Sequence, residues 1–209
     1  MRNICMSHPL LQSWRMLWLL FLTALWTQAA AAQALKVEDD RGDLVVEFTL
    51  SYDDLSIRYR DHGVMTRLSS RLKDDKRKYY GPNGVLVAEV KSKGDDFKLR
   101  ADDLNGEIKV KGDIEKLKIV VNGDEARPVK IKAKGDKLKV YRVSGETEIF
   151  IGQAQLSQDK KEVKVKDADK DERYRINDYR LSSAYGLLLD ERIRPEHRYI
   201  LMAEILMRQ

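Results

Sequence analysis

Serine and the 34 acids of this 209-residue sequence are plentiful, but thiols and imidazoles are scarce, and their positions restrict metal, nucleophile and acid–base chemistry sharply. The one cysteine, Cys5, and the three tryptophans, Trp14, Trp18 and Trp26, all fall within the first 26 residues. The rest of the chain therefore has no thiol for disulfides, nucleophilic catalysis, cysteine-ligated zinc or iron–sulfur clusters. His62 and His197 are the histidines beyond the N-terminal segment, and neither stands at metal-ligand spacing. His197 falls in the first turn of an expected terminal helix and reads as a polar residue near the mouth of the fold. No Gly-rich phosphate loop and no Gly-x-Ser-x-Gly elbow occurs, and no pair of acids is set apart from the others. The expectation is a protein that is not an enzyme, with no catalytic residue, no metal site and no cofactor.

Asp167, Asp169 and Asp171 spell the opening of a calcium loop. Glu172 then stands where such a loop needs glycine, and Asp178 where the bidentate glutamate belongs, so the run reads as a solvated hairpin turn. Arg41-Gly42-Asp43 matches an adhesion tripeptide, but three residues in a charged, turn-prone stretch recur by chance.

Lysine carries the more regular signal. Phe97-Lys98-Leu99, Leu117-Lys118-Ile119, Leu138-Lys139-Val140 and Val163-Lys164-Val165 begin 20, 21 and 25 positions apart. Ile108-Lys109-Val110, Val129-Lys130-Ile131 and Ile149-Phe150-Ile151 interleave with them, spaced by 21 and 20. In each apolar-Lys-apolar triplet the flanking apolar residues point to one face and the lysine to the other. Lys98, Lys109, Lys118, Lys130, Lys139 and Lys164 are thus expected on one outer face, where like charges repel unless Glu107, Asp113, Glu115, Glu148 and Glu162 relieve them. That face reads as a solvated, aggregation-resistant surface, or as a docking surface for an anionic partner.

The elements that position these residues follow from the same spacing. Leu44, Val46, Phe48 and Leu50 share one parity, as do Leu55, Ile57 and Tyr59, which marks half-buried strands. Turn signals recur between strands at Asn83-Gly84, Gly94-Asp95, Asn105-Gly106, Gly112-Asp113, Asn122-Gly123, Gly135-Asp136 and Gly145-Glu146. Strands at this spacing predict an antiparallel up-and-down meander closing into a barrel of about a dozen strands. An outer-membrane barrel is disfavoured by the Lys and Glu opposite the apolar face. From about 182 to 208 the pattern turns helical: Ser182 and Ser183 can cap residues 184–189, and Pro195 can open a second helix to about Met207. That second helix is apolar nearly all round and too short to span a bilayer, so it belongs inside the barrel. Its lone acid, Glu204, must face the opening or find a buried partner such as an arginine.

Hairpins of the form Gly-Asp-x-apolar-Lys-apolar, the Asp-rich stretch Lys166 to Ile176 and the C-terminal apolar helix resemble the tubby C-terminal-like superfamily, with its LURP-one-related and phospholipid scramblase branches. The resemblance covers roughly residues 43–209. It implies a closed barrel around a hydrophobic C-terminal helix, and it brings lipid binding into view as a function.

Residues 1–34 have the layout of a signal peptide: Arg2 and Arg15 without an acid, the apolar run Leu17 to Trp26, and a small-residue exit at Ala29 to Ala34. An uncleaved anchor over Met16 to Leu35 is the other reading. Cleavage would leave residues 35–209 as one domain, and the formal charge would fall from +5 to +3 with the loss of Arg2 and Arg15. Such a mild excess does not predict nucleic-acid binding. The expected role is an exported, periplasmic or secreted, non-enzymatic binding or structural protein of the cell envelope. Its partner is an envelope component, or, in the alternative, an anionic lipid surface met by the lysine face. Oligomeric state is not set by the sequence.

Overall fold

The computed structural model describes residues 34–208 except 52–54, 114, 158 and 160. The expected leader lies outside the described residues up to position 33.

Fourteen strands follow one another as an antiparallel meander: β1 Ala34–Asp39, β2 Leu44–Thr49, β3 Ser56–Asp61, β4 Val64–Lys73, β5 Lys76–Tyr80, β6 Leu86–Lys93 and β7 Asp96–Arg100. They continue as β8 Glu107–Gly112, β9 Lys116–Val121, β10 Val129–Lys134, β11 Lys137–Ser144, β12 Thr147–Ser157, β13 Glu162–Asp167 and β14 Glu172–Ile176. Each strand pairs with its sequence neighbours, and β1 pairs with β14 to close the barrel, with Val37 opposite Ile176 and Asp39 opposite Tyr174. A 3-10 helix, Ser183–Leu189, and one α-helix, α1 Pro195–Leu206, follow the last strand.

The alternation that the sequence displays is the wall of this barrel. Val46 and Phe48, Leu55, Ile57 and Tyr59, Phe97 and Leu99, and Val163 and Val165 all point inward and are buried. Expected turn glycines fall in the left-handed region, Gly94 and Gly135 among them, at φ of 63° and 62°. Ile149 departs from the expected pattern and is 49% exposed. The β11–β12 register shifts between Val140 and Tyr141, opposite Gly152 at φ 147°, so the parity of β12 changes there.

Eight strands enclose a space that their own side chains fill, whereas fourteen enclose a wider one. The C-terminal segments occupy it. Because the strands alternate in direction, all odd-to-even hairpins share one rim, called upper here, and all even-to-odd connections share the lower rim. The 3-10 helix starts near the lower rim, where Ser182 Oγ accepts from the Ala184 N–H. It packs on β10 to β13 so closely that a Cβ on Gly186 would meet the Ile131 and Val140 side chains at 2.9 Å. It ends at the upper rim, where the buried Asp190 binds Arg142 of β11 and Arg192 reaches the Arg127 carbonyl in the β9–β10 loop. From there α1 runs back down. Residues His197 through Ile205 are all buried, on every side of the helix, as an all-round apolar helix requires. The two helical segments expected within about 182–208 are present, the first as a 3-10 helix, and they run antiparallel and fill the barrel together.

Candidate functional site

On the outer face the register sets lysines directly opposite one another. Lys76 faces Lys91, Lys91 faces Lys98, and Lys98 faces Lys109, a row across β5 to β8. A second row runs Lys111, Lys118, Lys130 across β8 to β10, and a third runs Lys116, Lys132, Lys139 across β9 to β11. Adjacent strands stand about 4.8 Å apart, so these rows need acids nearby. Glutamates supply them, mostly one to two lysines. Glu107 lies 3.3 Å from Lys98, 3.6 Å from Lys109 and 3.0 Å from Arg100. Glu125 takes Lys118 at 2.6 Å and Lys111 at 3.8 Å, and Glu148 takes Lys132 at 2.6 Å and Lys130 at 2.9 Å. Partial desolvation pushes the Glu107 carboxyl up, but bonds from Arg100 and Lys98 outweigh it and hold the group below its usual range. The Lys118 bond lowers Glu125, and the Lys132 and Lys130 bonds lower Glu148.

Of the six lysines expected on one face, Lys98 and Lys109 are neighbours, Lys118 and Lys130 are neighbours, and Lys139 lies opposite Lys132 in the third row. Lys164 stands apart on β13, between Glu172 at 2.7 Å and Glu162 at 3.8 Å. Lys139 lies over the Phe150 ring, 5.9 Å from its centroid. Glu107, Glu148 and Glu162 compensate lysines as expected. Asp113 instead accepts from the Glu115 and Lys116 N–H groups in its own turn, and Glu125 takes up the role from a loop that strand parity does not mark. A shallow groove of about 530 Å³ opens along β6 to β8, lined by Lys91, Lys93, Lys98, Lys109, Lys111 and Asp96, among others.

Inside the barrel near the lower rim is a buried polar cluster. Glu204 of α1 is 3% exposed; its Oε1 accepts from the Tyr79 hydroxyl at 2.6 Å and lies 3.3 Å from Arg77 Nε, and Oε2 lies 2.5 Å from Arg208. Arg208 also donates to Ser92 Oγ at 2.6 Å. Burial, reinforced by the Glu204 carboxylate, pushes the Tyr79 hydroxyl well up, so it remains a donor. Of the two fates open to Glu204, the fold takes the buried arginine partner. Arg77 shares strand parity with the buried Tyr79, and that placement was the available signal for an inward arginine.

The upper rim holds Asp103 of the β7–β8 loop with Glu196 and His197 of α1, whose ligand-capable atoms lie within 4.8 Å of one another. Arg194 binds both carboxylates, contacting Glu196 at 2.6 Å. Burial pushes His197 below its ordinary value, against the pull of Asp103 and Glu196. No spacing in the sequence joins Asp103 to residues 93 and 94 positions away. The Asp-rich stretch is a tight turn: Asp167 Oδ1 accepts from the Asp169 and Asp171 N–H groups, each at 3.0 Å. Arg41-Gly42-Asp43 forms the β1–β2 turn, where Asp39 Oδ1 accepts from the Arg41 and Asp43 N–H groups. Among the described residues no helix is long and apolar enough to cross a membrane. Comparison with protein-family models, curated proteins and solved structures finds no match.

Proposed function

We propose that this chain is an exported, non-enzymatic binding protein of the cell envelope, and that the cationic outer face of β6 to β8 receives an anionic partner, with anionic lipid head groups as the ligand class. The observation that carries this reading is the groove lined by five lysines, at positions 91, 93, 98, 109 and 111, and Arg100, a cationic excess over Asp96 in the lining and over the flanking Asp75, Glu107 and Glu125 that pair with them. The filled interior supports it too, since a ligand has the outside and the rims to use. We also propose kinship with the tubby C-terminal-like superfamily, supported by an antiparallel barrel closed around a C-terminal helix.

Flotation with vesicles of phosphatidylglycerol and phosphatidylcholine tests the reading. Binding is expected at low ionic strength, falling in high salt as the Debye length shrinks from about 30 Å to about 3 Å. It is expected to fall steeply in the triple variant Lys91→Glu, Lys98→Glu, Lys109→Glu, each lysine near the surface contributing about 1 kcal/mol. No binding at low salt would overturn the lipid reading, and binding unchanged in the triple variant would move it to another face.

A further inference from the structure

His197 is 1% exposed, yet among the described residues neither of its ring nitrogens makes a hydrogen bond. Nε2 lies only 3.2 Å from Asp103 Oδ1, without the alignment that a hydrogen bond needs. A buried imidazole ordinarily has a donor and an acceptor partner, because desolvating either nitrogen without one is unfavourable. Here the unsatisfied ring sits against two carboxylates. Asp103 is 37% exposed at the upper rim, which opens the cluster to solvent. Glu196 is one residue before His197 in the first turn of α1, so helix and loop together hold one nitrogen and two oxygen donors.

We propose that Asp103, Glu196 and His197 form a binding site for a zinc-class divalent transition metal, with water completing the coordination. One imidazole with two carboxylates suits zinc and its first-row neighbours, whereas magnesium and calcium prefer oxygen alone. Bond lengths of about 2.0 to 2.2 Å place tetrahedral ligand atoms roughly 3.5 Å apart, so the cluster contracts on loading. Arg194 is the resident competitor. Its guanidinium spans Asp103 and Glu196, neutralising the charge that the cation would take, and it is 60% exposed and free to swing into solvent. The site is independent of the lysine groove, which lies on other residues of the outer face.

Equilibrium dialysis of the purified protein against zinc chloride, with cobalt(II) absorption as a second readout, tests the site. One equivalent is expected, with the d–d bands of a low-coordinate nitrogen–oxygen environment. His197→Gln and Asp103→Asn are each expected to weaken binding at least tenfold; Asp103 is on an exposed loop, so its variant tests the site even if His197→Gln fails to fold. Arg194→Gln is expected to tighten binding several-fold by removing the competitor. His62→Gln, on the exposed β3–β4 turn, is expected to change nothing. Absence of a stoichiometric site, or zinc affinity unchanged by both Asp103→Asn and His197→Gln, would overturn the proposal. Unchanged affinity in Arg194→Gln would overturn the competition by Arg194.

Discussion

At the scale of single residues, charge placement relative to the barrel wall separates two kinds of ion pair. Glu204 and Arg77 are both nearly sealed, with side chains 4% and 6% exposed. Glu204→Leu is therefore expected to remove the carboxylate shared by Arg77 and Arg208 and to destabilise the protein by about 3 kcal/mol or more. The double variant Arg77→Met, Glu204→Leu, read by the same thermal unfolding, should recover most of that loss, because removing a buried pair together is far less harmful than halving it. A double variant no better than the single one would place the cost elsewhere, in the Tyr79 hydroxyl for example. The outer glutamates behave differently. Glu107, Glu125, Glu148 and Glu172 are held below the usual carboxylate value of 4.5 by lysine and arginine bonds. Lowered folded-state values stabilise the fold above that range, and the contribution is lost as pH falls through the lowered values. The melting temperature is accordingly expected to fall below pH 4.5, as the lysine rows lose their counter-charges, and added salt should narrow the difference. A flat profile there would mean the rows are relieved by solvent alone. Outward lysines were legible in the sequence because strand parity alone decides them. The Asp103–His197 approach was not, because it depends on a loop and a helix brought together by closure of the whole barrel.

At the scale of elements, turns and strands obey local rules and the filler obeys a global one. The Gly-bearing turns required positive φ and have it, which is why hairpin positions were readable from dipeptides. Gly152 is a different case. A Cβ there would lie 2.2 Å from the Lys166 carbonyl and 2.7 Å from Leu189, and φ is 147°. Gly152→Ala is expected to cost about 3 kcal/mol or more, through backbone displacement at the bulge. Gly135→Ala, at φ 62° with nothing within 4 Å, should cost only about 1 kcal/mol. Equal losses in chemical denaturation would remove the close packing of β12 on the 3-10 helix as the cause. The helical residues were visible by composition, and their burial followed from it. Their division at Pro195 was visible too, but the 3-10 form of the first segment and its antiparallel packing were not, since short 3-10 turns are set by contact, here the seating of Gly186 on β10 and β11. Truncation before Pro195 removes Ile200, Leu201, Met202 and Ile205, each worth roughly 1.5 to 3 kcal/mol when buried. That sum rivals a typical stability of about 5 to 15 kcal/mol, so the truncated chain should not fold. A cooperative melt from it would contradict a load-sharing interior helix.

At the scale of the whole molecule, the barrel is one circuit, and its seam joins the first strand to the last. β1 begins at Ala34, opposite Thr49, and buries Leu35 and Val37. Cleavage after Ala32 keeps this strand entire, and the exported species is expected to begin at Gln33 by intact mass, or at Leu35 at the cost of one ladder position. Retention of Trp26 would refute cleavage. Strand count marks the limit of sequence reading here: the repeat length predicts hairpins, but closure at fourteen depends on shear and twist summed around the ring. The seam also orders events in time. A chain emerging N-terminus first makes β1 at once, yet β1 waits for residues 172–176 before its outer edge is hydrogen-bonded, and the lining waits longer still for residues 183–206. Throughout synthesis the nascent sheet therefore offers a free edge and an unfilled apolar face, both of which invite association with other chains. The lysines that crowd the strands are a protection present from the start, because their repulsion acts between molecules before it acts within one.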